Sequence, residues 1–369
     1  MASAQGRAGS SLLARLKGGI DLSFILGRSY VGLSIGASSV KLVELRKKSN
    51  SWMLTAYANI PVEEVISDQR EVVNAANIAF AIQEALTATK VKSKEVCSSL
   101  VGSGVIIKNI TISVNNKKEL EDQVYWEAEQ YIPFDINDVV IDYQTIRETK
   151  KNEFEVVVVA VKNDYIDQYL GVIEEAGLQT RVMDVEVFAL QNCFESNYTV
   201  PSNEAVLIAD IGAMSTKVTI CADGSPLFTK DAPYGGINVT NEIQRELKLP
   251  TFVDAETLKV SETLPQEVAE IVSRMCHVLG TELKRSIDFY NASNLGPPVS
   301  TVYLSGGGSR AQGMIPIVQD YVGVPVQIVN PFERIQGDPK KMSQEYLDSI
   351  APEAVIPIGL AIRARDKTT

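Results

Sequence analysis

Apolar and polar positions begin to alternate at Tyr30. Val31 to Ile35, Val40 to Leu45 and the run "WMLTAYANI" each read as a strand, predicting an antiparallel meander with the basic "RKKSNS" at its second turn. The period then changes. In "EVVNAANIAFAIQEALTATK", Ala75, Ile78, Ile82, Ala85 and Leu86 share one helical face, and "EVCSSLVG" follows as a buried strand. "VIIKNITISV" resumes strand character before "NNKKELEDQVYWEAEQYIPFD". There Asn116 and Glu119 stand at capping-box spacing, Leu120, Val124, Ala128 and Tyr131 form a stripe, and Pro133 ends the helix. "FEVVVVAV" is apolar enough for a strand covered on both faces. Asn163 caps a helix carrying Ile166, Leu170 and Ile173 until Gly177 stops it, and "QTRVMDVEV" and "VFALQNCFESN" add a strand and a helix.

The opening pattern then returns. "VLIADIGAMSTKVTICADG" repeats the first strand, turn and strand: Gly36 answers to Gly212, Ser39 to Ser215 and Lys41 to Lys217, each 176 residues further on. The second half continues with a helix from Asn238 to Leu247, a long helix from about Gln266 to Tyr290, the strand "TVYLSGGG", a helix, the strand "PVQIVN" and a terminal helix holding "PIGLAIRARD". A repeat at half-chain distance implies two α/β halves facing one another across a cleft. A chance likeness of two short hairpins is the competing explanation.

Composition narrows the chemistry. The 369 residues are enough for two domains or one split domain, and 45% apolar with 22% charged residues fits a folded globular chain. A net charge of −11 without a basic stripe argues against nucleic acid as a partner. Cys97, Cys193, Cys221 and Cys276 are scattered among apolar neighbours and read as buried thiols of a reducing compartment. With His277 as the sole histidine, histidine catalysis and a zinc centre are nearly excluded. The first 28 residues carry Arg15, Lys17 and Asp21, which break their apolar patches well short of the roughly 18 residues of a membrane span. They read as a flexible extension or a weak amphipathic contact, and the chain as cytoplasmic.

Glycine turns with hydroxyls and a lysine are suited to gripping phosphate: backbone N–H groups point at the anion, Ser and Thr add donors, and Lys adds charge. Gly36, Ala37, Ser38, Ser39 and Lys41 form one such grip, and Gly212, Ser215, Thr216 and Lys217 the other. Gly306, Gly307 and Gly308 follow a strand and open a helix, suited to the nucleoside end or the α-phosphate, while Gly235 and Gly236 precede another helix. Neither GxxxxGK[ST] nor GxGxxG is present. Ser34 stands where the second copy carries an acid, Asp210.

Four elements in this order resemble the actin, heat-shock-70 and sugar-kinase superfamily, with "DVEVFALQN" and "PIGLAIRA" as its two connecting helices. Within it, "IGASSVKLVEL", "YWEAEQYIPFDINDVVIDYQ", "TNEIQRELKL", "AETLK", "RSIDFY", "VYLSGGG" and "VPVQIVNPF" resemble the PilM family of type IV pilus assembly proteins, relatives of the FtsA branch. The resemblance runs from about Tyr30 to the C-terminus. It implies a bilobed actin-like ATPase fold of duplicated ribonuclease-H-like domains with an FtsA-type relocated small subdomain. On this chain, residues 29–101 and 178–204 would form the first lobe, 102–177 the small subdomain, and 205–369 the second lobe, with a helical subdomain at about 240–298.

The resemblance further implies ATP and Mg²⁺ in the cleft. Ser34 and Asp210 would face the metal side, Asp210 as its carboxylate. Glu282 and Arg285 would either meet the ribose or base or form a solvated helix face. Glu186 would either orient water for hydrolysis or serve structure. The implied partner is the cytoplasmic N-terminal peptide of PilN, with Trp126, Tyr131, Ile132, Pro133 and Phe134 as anchors, unless Tyr131 and Ile132 merely close a core helix. Through PilN the chain would join the inner-membrane platform and its cytoplasmic motor, with membrane contact indirect and a homo-oligomer or ring open. The alternatives are an FtsA-like division ATPase, which would carry a terminal amphipathic helix that "AIRARDKTT" does not provide, and a small-molecule kinase, for which no catalytic carboxylate has the right context. Ser34 in place of an acid, and the lack of a catalytic histidine, predict slow ATP hydrolysis.

Overall fold

A computed structural model describes residues 29–48, 51–62, 74–100, 102 and 104–364. The expectations for residues 1–28 and for the last five residues lie outside these. Alternating apolar residues fold β1 (Ser29–Ile35), β2 (Ser39–Lys48) and β3 (Ser51–Pro61) into the predicted meander. After α1 (Ala75–Thr89), β4 (Glu95–Leu100) lies parallel to β1, and β8 (Gln179–Val185) lies parallel to β4. The short β14 (Ile335–Gly337) returns from the far end of the chain to pair with β3, giving the order β14-β3-β2-β1-β4-β8.

The second lobe repeats this plan. β9 (Ala205–Ile211), β10 (Thr216–Ala222) and β11 (Ser225–Ala232) form a meander, and β12 (Val299–Ser305) and β13 (Val326–Ile328) extend it in parallel, in the order β11-β10-β9-β12-β13. The two sheets thus share strand order and sense around their first hairpins, as expected of duplicated domains. Helices α5 (Gly236–Leu247), α6 (Phe252–Lys259), α7 (Gln266–Ala292) and α8 (Met314–Val322) belong to this lobe, and all four contribute to its core.

Two helices join the lobes. α4 (Glu186–Asn197) and α9 (Gln344–Arg363) cross so closely that a Cβ on Gly359 would fall 1.8 Å from the Ala189 carbonyl oxygen. Leu190, Cys193 and Phe194 of α4 share one buried cluster with Val355 and Ile358 of α9, Val43 of the first sheet and Ile208 of the second. One continuous apolar core therefore joins the two lobes, and separating them would expose it to water.

The inserted unit is the antiparallel sheet β5-β7-β6, made of β5 (Val105–Ser113), β6 (Val139–Lys150) and β7 (Glu153–Lys162), with α2 (Leu120–Ala128) on one face. Leu120, Val124, Phe154 and Val156 form a core on its α2 side, while Val161 of β7 joins the first-lobe core. The expected boundary at residue 177 lies beyond α3 (Asn163–Glu175), whose Tyr165, Ile166, Tyr169 and Ile173 instead join the first-lobe core with Ile78 and Ile82.

Local corrections have physical causes. The capping box at Asn116 and Glu119 does not form: the Asn116 side chain accepts from the Lys118 N–H in a tight turn, and α2 starts later, at Leu120. α2 also stops at Ala128, before Pro133, so Tyr131 leaves the predicted stripe and is half exposed while Ile132 turns into the core. Asn163 is the first residue of α3 rather than its cap, and its amide donates to the Asn137 carbonyl.

Candidate functional site

In the first hairpin Ser34 lies opposite Lys41 and Ile35 opposite Val40, and the Gly36 N–H donates to the Ser39 carbonyl at 3.0 Å. In the second, Asp210 lies opposite Lys217 and Ile211 opposite Thr216, and the Gly212 N–H donates to the Ser215 carbonyl at 3.0 Å. Register and turn closure are the same, so the repeat in the sequence is a repeat in space. The turns differ at one chemical position: neutral Ser34 on one side, anionic Asp210 on the other.

The two hairpins lie close enough to share charges. Burial pushes the Lys41 amine below the ordinary lysine range, and the charges of Glu353, Asp210 and Glu186 oppose that effect while Lys217 adds to it. Lys41 donates to its own turn, reaching Ser39 Oγ at 2.7 Å. Lys217 has a different partner, the Glu186 carboxylate of α4 at 2.8 Å, with Glu186 buried and Lys217 partly buried. Burial raises the Glu186 carboxyl against the opposing Lys217 charge. Burial alone would lower Lys217, but Glu186 and Asp210 outweigh it and raise it. Asp210 is buried and accepts a hydrogen bond from Ser305 Oγ at 2.9 Å.

The glycine cluster sits against the second hairpin. Gly306 has φ of 81°, and a Cβ there would fall 2.5 Å from the Ile211 carbonyl oxygen; one on Gly308 would fall 2.3 Å from the Ile211 side chain. These two glycines are explained by packing, while beside Gly307 the nearest such neighbour is Glu353 Oε1 at 3.9 Å. Gly235 and Gly236 close on the same turn: the Gly236 N–H donates to the Gly212 carbonyl at 3.0 Å and the Ile237 N–H to the Ala213 carbonyl at 2.8 Å. Glu282 forms an ion pair with Lys230 of β11, and Arg285 is exposed.

Three participants escaped the sequence reading. Lys259 of α6 donates to the Gly236 carbonyl at 3.2 Å and pairs with Glu256 at 2.6 Å, a pair that "AETLK" carries three residues apart. Ser305 holds Asp210, and its place at the end of β12 was the available signal. Glu353 lies in an apolar helical run that gave none.

Fit to a metal is selective. Among the described residues no group of three or more His, Cys, Asp or Glu side chains could hold a metal ion. One carboxylate, Asp210, with neighbouring hydroxyls suits a Mg²⁺ that arrives on phosphate oxygens and keeps its waters, and does not suit a metal held by protein alone.

Of the proposed partner anchors, Tyr131 and Ile132 line a small, shallow groove completed by Ile106, Lys108, Ile110, Ala128, Val158 and Ala160. Trp126 is 61% exposed on α2, and Pro133 is exposed beside the groove. Phe134 packs under the Lys162 ammonium, 4.4 Å from its ring centre, a cation–π contact.

Comparison with known proteins agrees with this architecture. A family model described as type IV pilus assembly protein PilM matches residues 32–365. The solved structure of a PilM-PilN type IV pilus biogenesis complex contains a chain 31% identical to this one, with a TM-score of 0.83, covering 92% of this chain and 99% of that one. The ethanolamine utilization protein EutJ from Carboxydothermus hydrogenoformans shares the fold at 16% identity and a TM-score of 0.58, over 95% of this chain and 94% of its own. The cell division protein FtsA of Bacillus subtilis is 24% identical over 298 residues, spanning 72% of this chain and 66% of the relative's own length, just under two thirds.

Proposed function

The chain belongs to the PilM family of type IV pilus assembly proteins, and from that premise we propose that it holds ATP between its two hairpins and a partner peptide in the groove of its small sheet. It is an actin-like scaffold of type IV pilus assembly. One observation carries the nucleotide reading: two glycine hairpins of identical register, each with a lysine at the same station, lie close enough to share charges. Ser38, Ser39 and Lys41 take phosphate from one side, and Gly212, Ser215 and Thr216 from the other. Mg²⁺, when bound, neutralises phosphate charge, and Asp210, fixed by Ser305, is the group that would face its water shell.

The partner is the cytoplasmic N-terminal peptide of a PilN protein. The reading rests on the family, on the PilM-PilN complex in which the solved relative is found, and on the shallow apolar groove beside Tyr131. No described helix is long and apolar enough to cross a membrane. The partner is what would bring the chain to the inner-membrane platform. Calorimetry with ATP tests the cleft. A charge-assisted contact is worth about 1.5–3 kcal/mol, so Lys41→Ala and Asp210→Ala should each weaken binding about 10- to 100-fold in a folded protein. Unchanged affinity in either folded variant would remove that residue from the site.

A further inference from the structure

In the second hairpin the lysine faces an acid across the strands: Lys217 lies opposite Asp210. In the first, the cross-strand neighbours of Lys41 are Ser34 on β1 and Asn59 on β3, both neutral. A cation withdrawn from water needs a nearby opposite charge to remain charged. The chain supplies one from another element. Glu353 of α9 accepts a hydrogen bond from Asn59 Nδ2 at 2.7 Å through Oε2. Its other oxygen, Oε1, faces the Arg310 guanidinium at 3.6 Å and lies beside Gly307.

We propose that Glu353 is a positioning residue of the nucleotide site: it stands in for the acid missing at Ser34, holding Asn59, the β3 neighbour of Lys41, and Arg310 of the second lobe from the helix that joins them. This rests on the nucleotide reading above. The carboxylate spans the two lobes, taking Asn59 with one oxygen and Arg310 with the other, so it ties β3, the strand beside Lys41, to the glycine turn. Its charge is also the largest of those that favour the ammonium form of Lys41, ahead of Asp210 on β9 and Glu186 on α4, with Lys217 on β10 acting against them. Losing Glu353 therefore lowers the Lys41 pKa further, and the grip on phosphate is lost at a lower pH.

The test separates this role from packing and from the nucleotide reading itself. ATP affinity is measured by calorimetry between about pH 6 and about pH 9 for the wild type, Glu353→Gln, Glu353→Asp, Lys41→Met and the Glu353→Gln/Lys41→Met pair. A one-unit fall in the Lys41 pKa appears as up to about a tenfold loss of affinity at the alkaline end. Glu353→Gln should show that loss and recover at the acid end, Glu353→Asp should restore part of it, and Glu353→Gln should cost little once Lys41 is already Met. Equal weakening at every pH, or the same cost with and without Lys41, would overturn the proposal. If Glu353→Gln does not fold, Glu353→Asp replaces it: the shorter side chain draws the charge back from Lys41, so a smaller alkaline loss of the same sign is expected, and the absence of any such loss would overturn the proposal. The Lys41 pKa, followed by NMR on ¹³C-lysine protein without nucleotide, should fall in Glu353→Gln, and an unmoved value would overturn the proposal. Failure of the wild type to bind ATP would instead defeat the nucleotide reading.

Discussion

Lys41 and Lys217 occupy equivalent stations, yet one bonds a hydroxyl of its own turn and the other pairs with Glu186 of α4. Glu186 is thus held in an ion pair and is poorly placed to act as a free base toward water. ATP cleavage should be slow: a single-turnover assay on the purified protein should find most of the nucleotide intact long after binding is complete, and brisk cleavage would contradict the assignment. Breaking a buried pair leaves a charge without a partner, so Lys217→Met should cost about 3–5 kcal/mol in urea unfolding. Glu186→Leu/Lys217→Met should recover much of that loss. The sign for Lys41 follows from its lowered pKa. Its ammonium form is lost at lower pH than that of an exposed lysine, so nucleotide affinity should fall on the alkaline side before an ordinary lysine would titrate.

The connecting helices are where element geometry is least forgiving. Gly359→Ala places a methyl against the Ala189 backbone of α4, which neither helix can yield, and should strongly lower the melting temperature. Gly171→Ala in α3 meets nothing within 4 Å and should add about 0.5–1 kcal/mol by helix propensity alone. A thermal melt of the two variants checks both signs. Elements with strong periodicity were legible in the sequence: the β1–β3 meander, α1, α7 and the repeated hairpin all stand where alternation or a 3.6-residue stripe put them. β6, α6 and β14 were not read. The outer half of β6 is exposed and polar, α6 has a single buried residue, Ala255, and β14 is three residues long and owes its place to β3. Glu353 was invisible for a related reason, since its importance comes from Asn59, Arg310 and Lys41, which only the fold brings to it.

At the scale of the molecule, the core shared by the two lobes and the core under α2 of the inserted sheet make two packing units on one chain, matched to the two proposed roles of holding nucleotide and docking a partner. They meet at β5, where the Asn109 amide donates to the Pro226 and Leu227 carbonyls of the second lobe at 2.8 and 3.2 Å. The groove itself uses the alternate residues of that strand, Ile106, Lys108 and Ile110. The measurement that tests the scaffold reading most directly is fluorescence anisotropy of a labelled N-terminal PilN peptide, titrated with this protein and with its Tyr131→Glu and Ile110→Asp variants, with and without Mg²⁺ and ATP. Saturable binding by the wild type, lost in both variants while their melting curves and ATP affinities are kept, is the predicted result. Equal peptide binding by the wild type and both folded variants, or none by any of them, would contradict it.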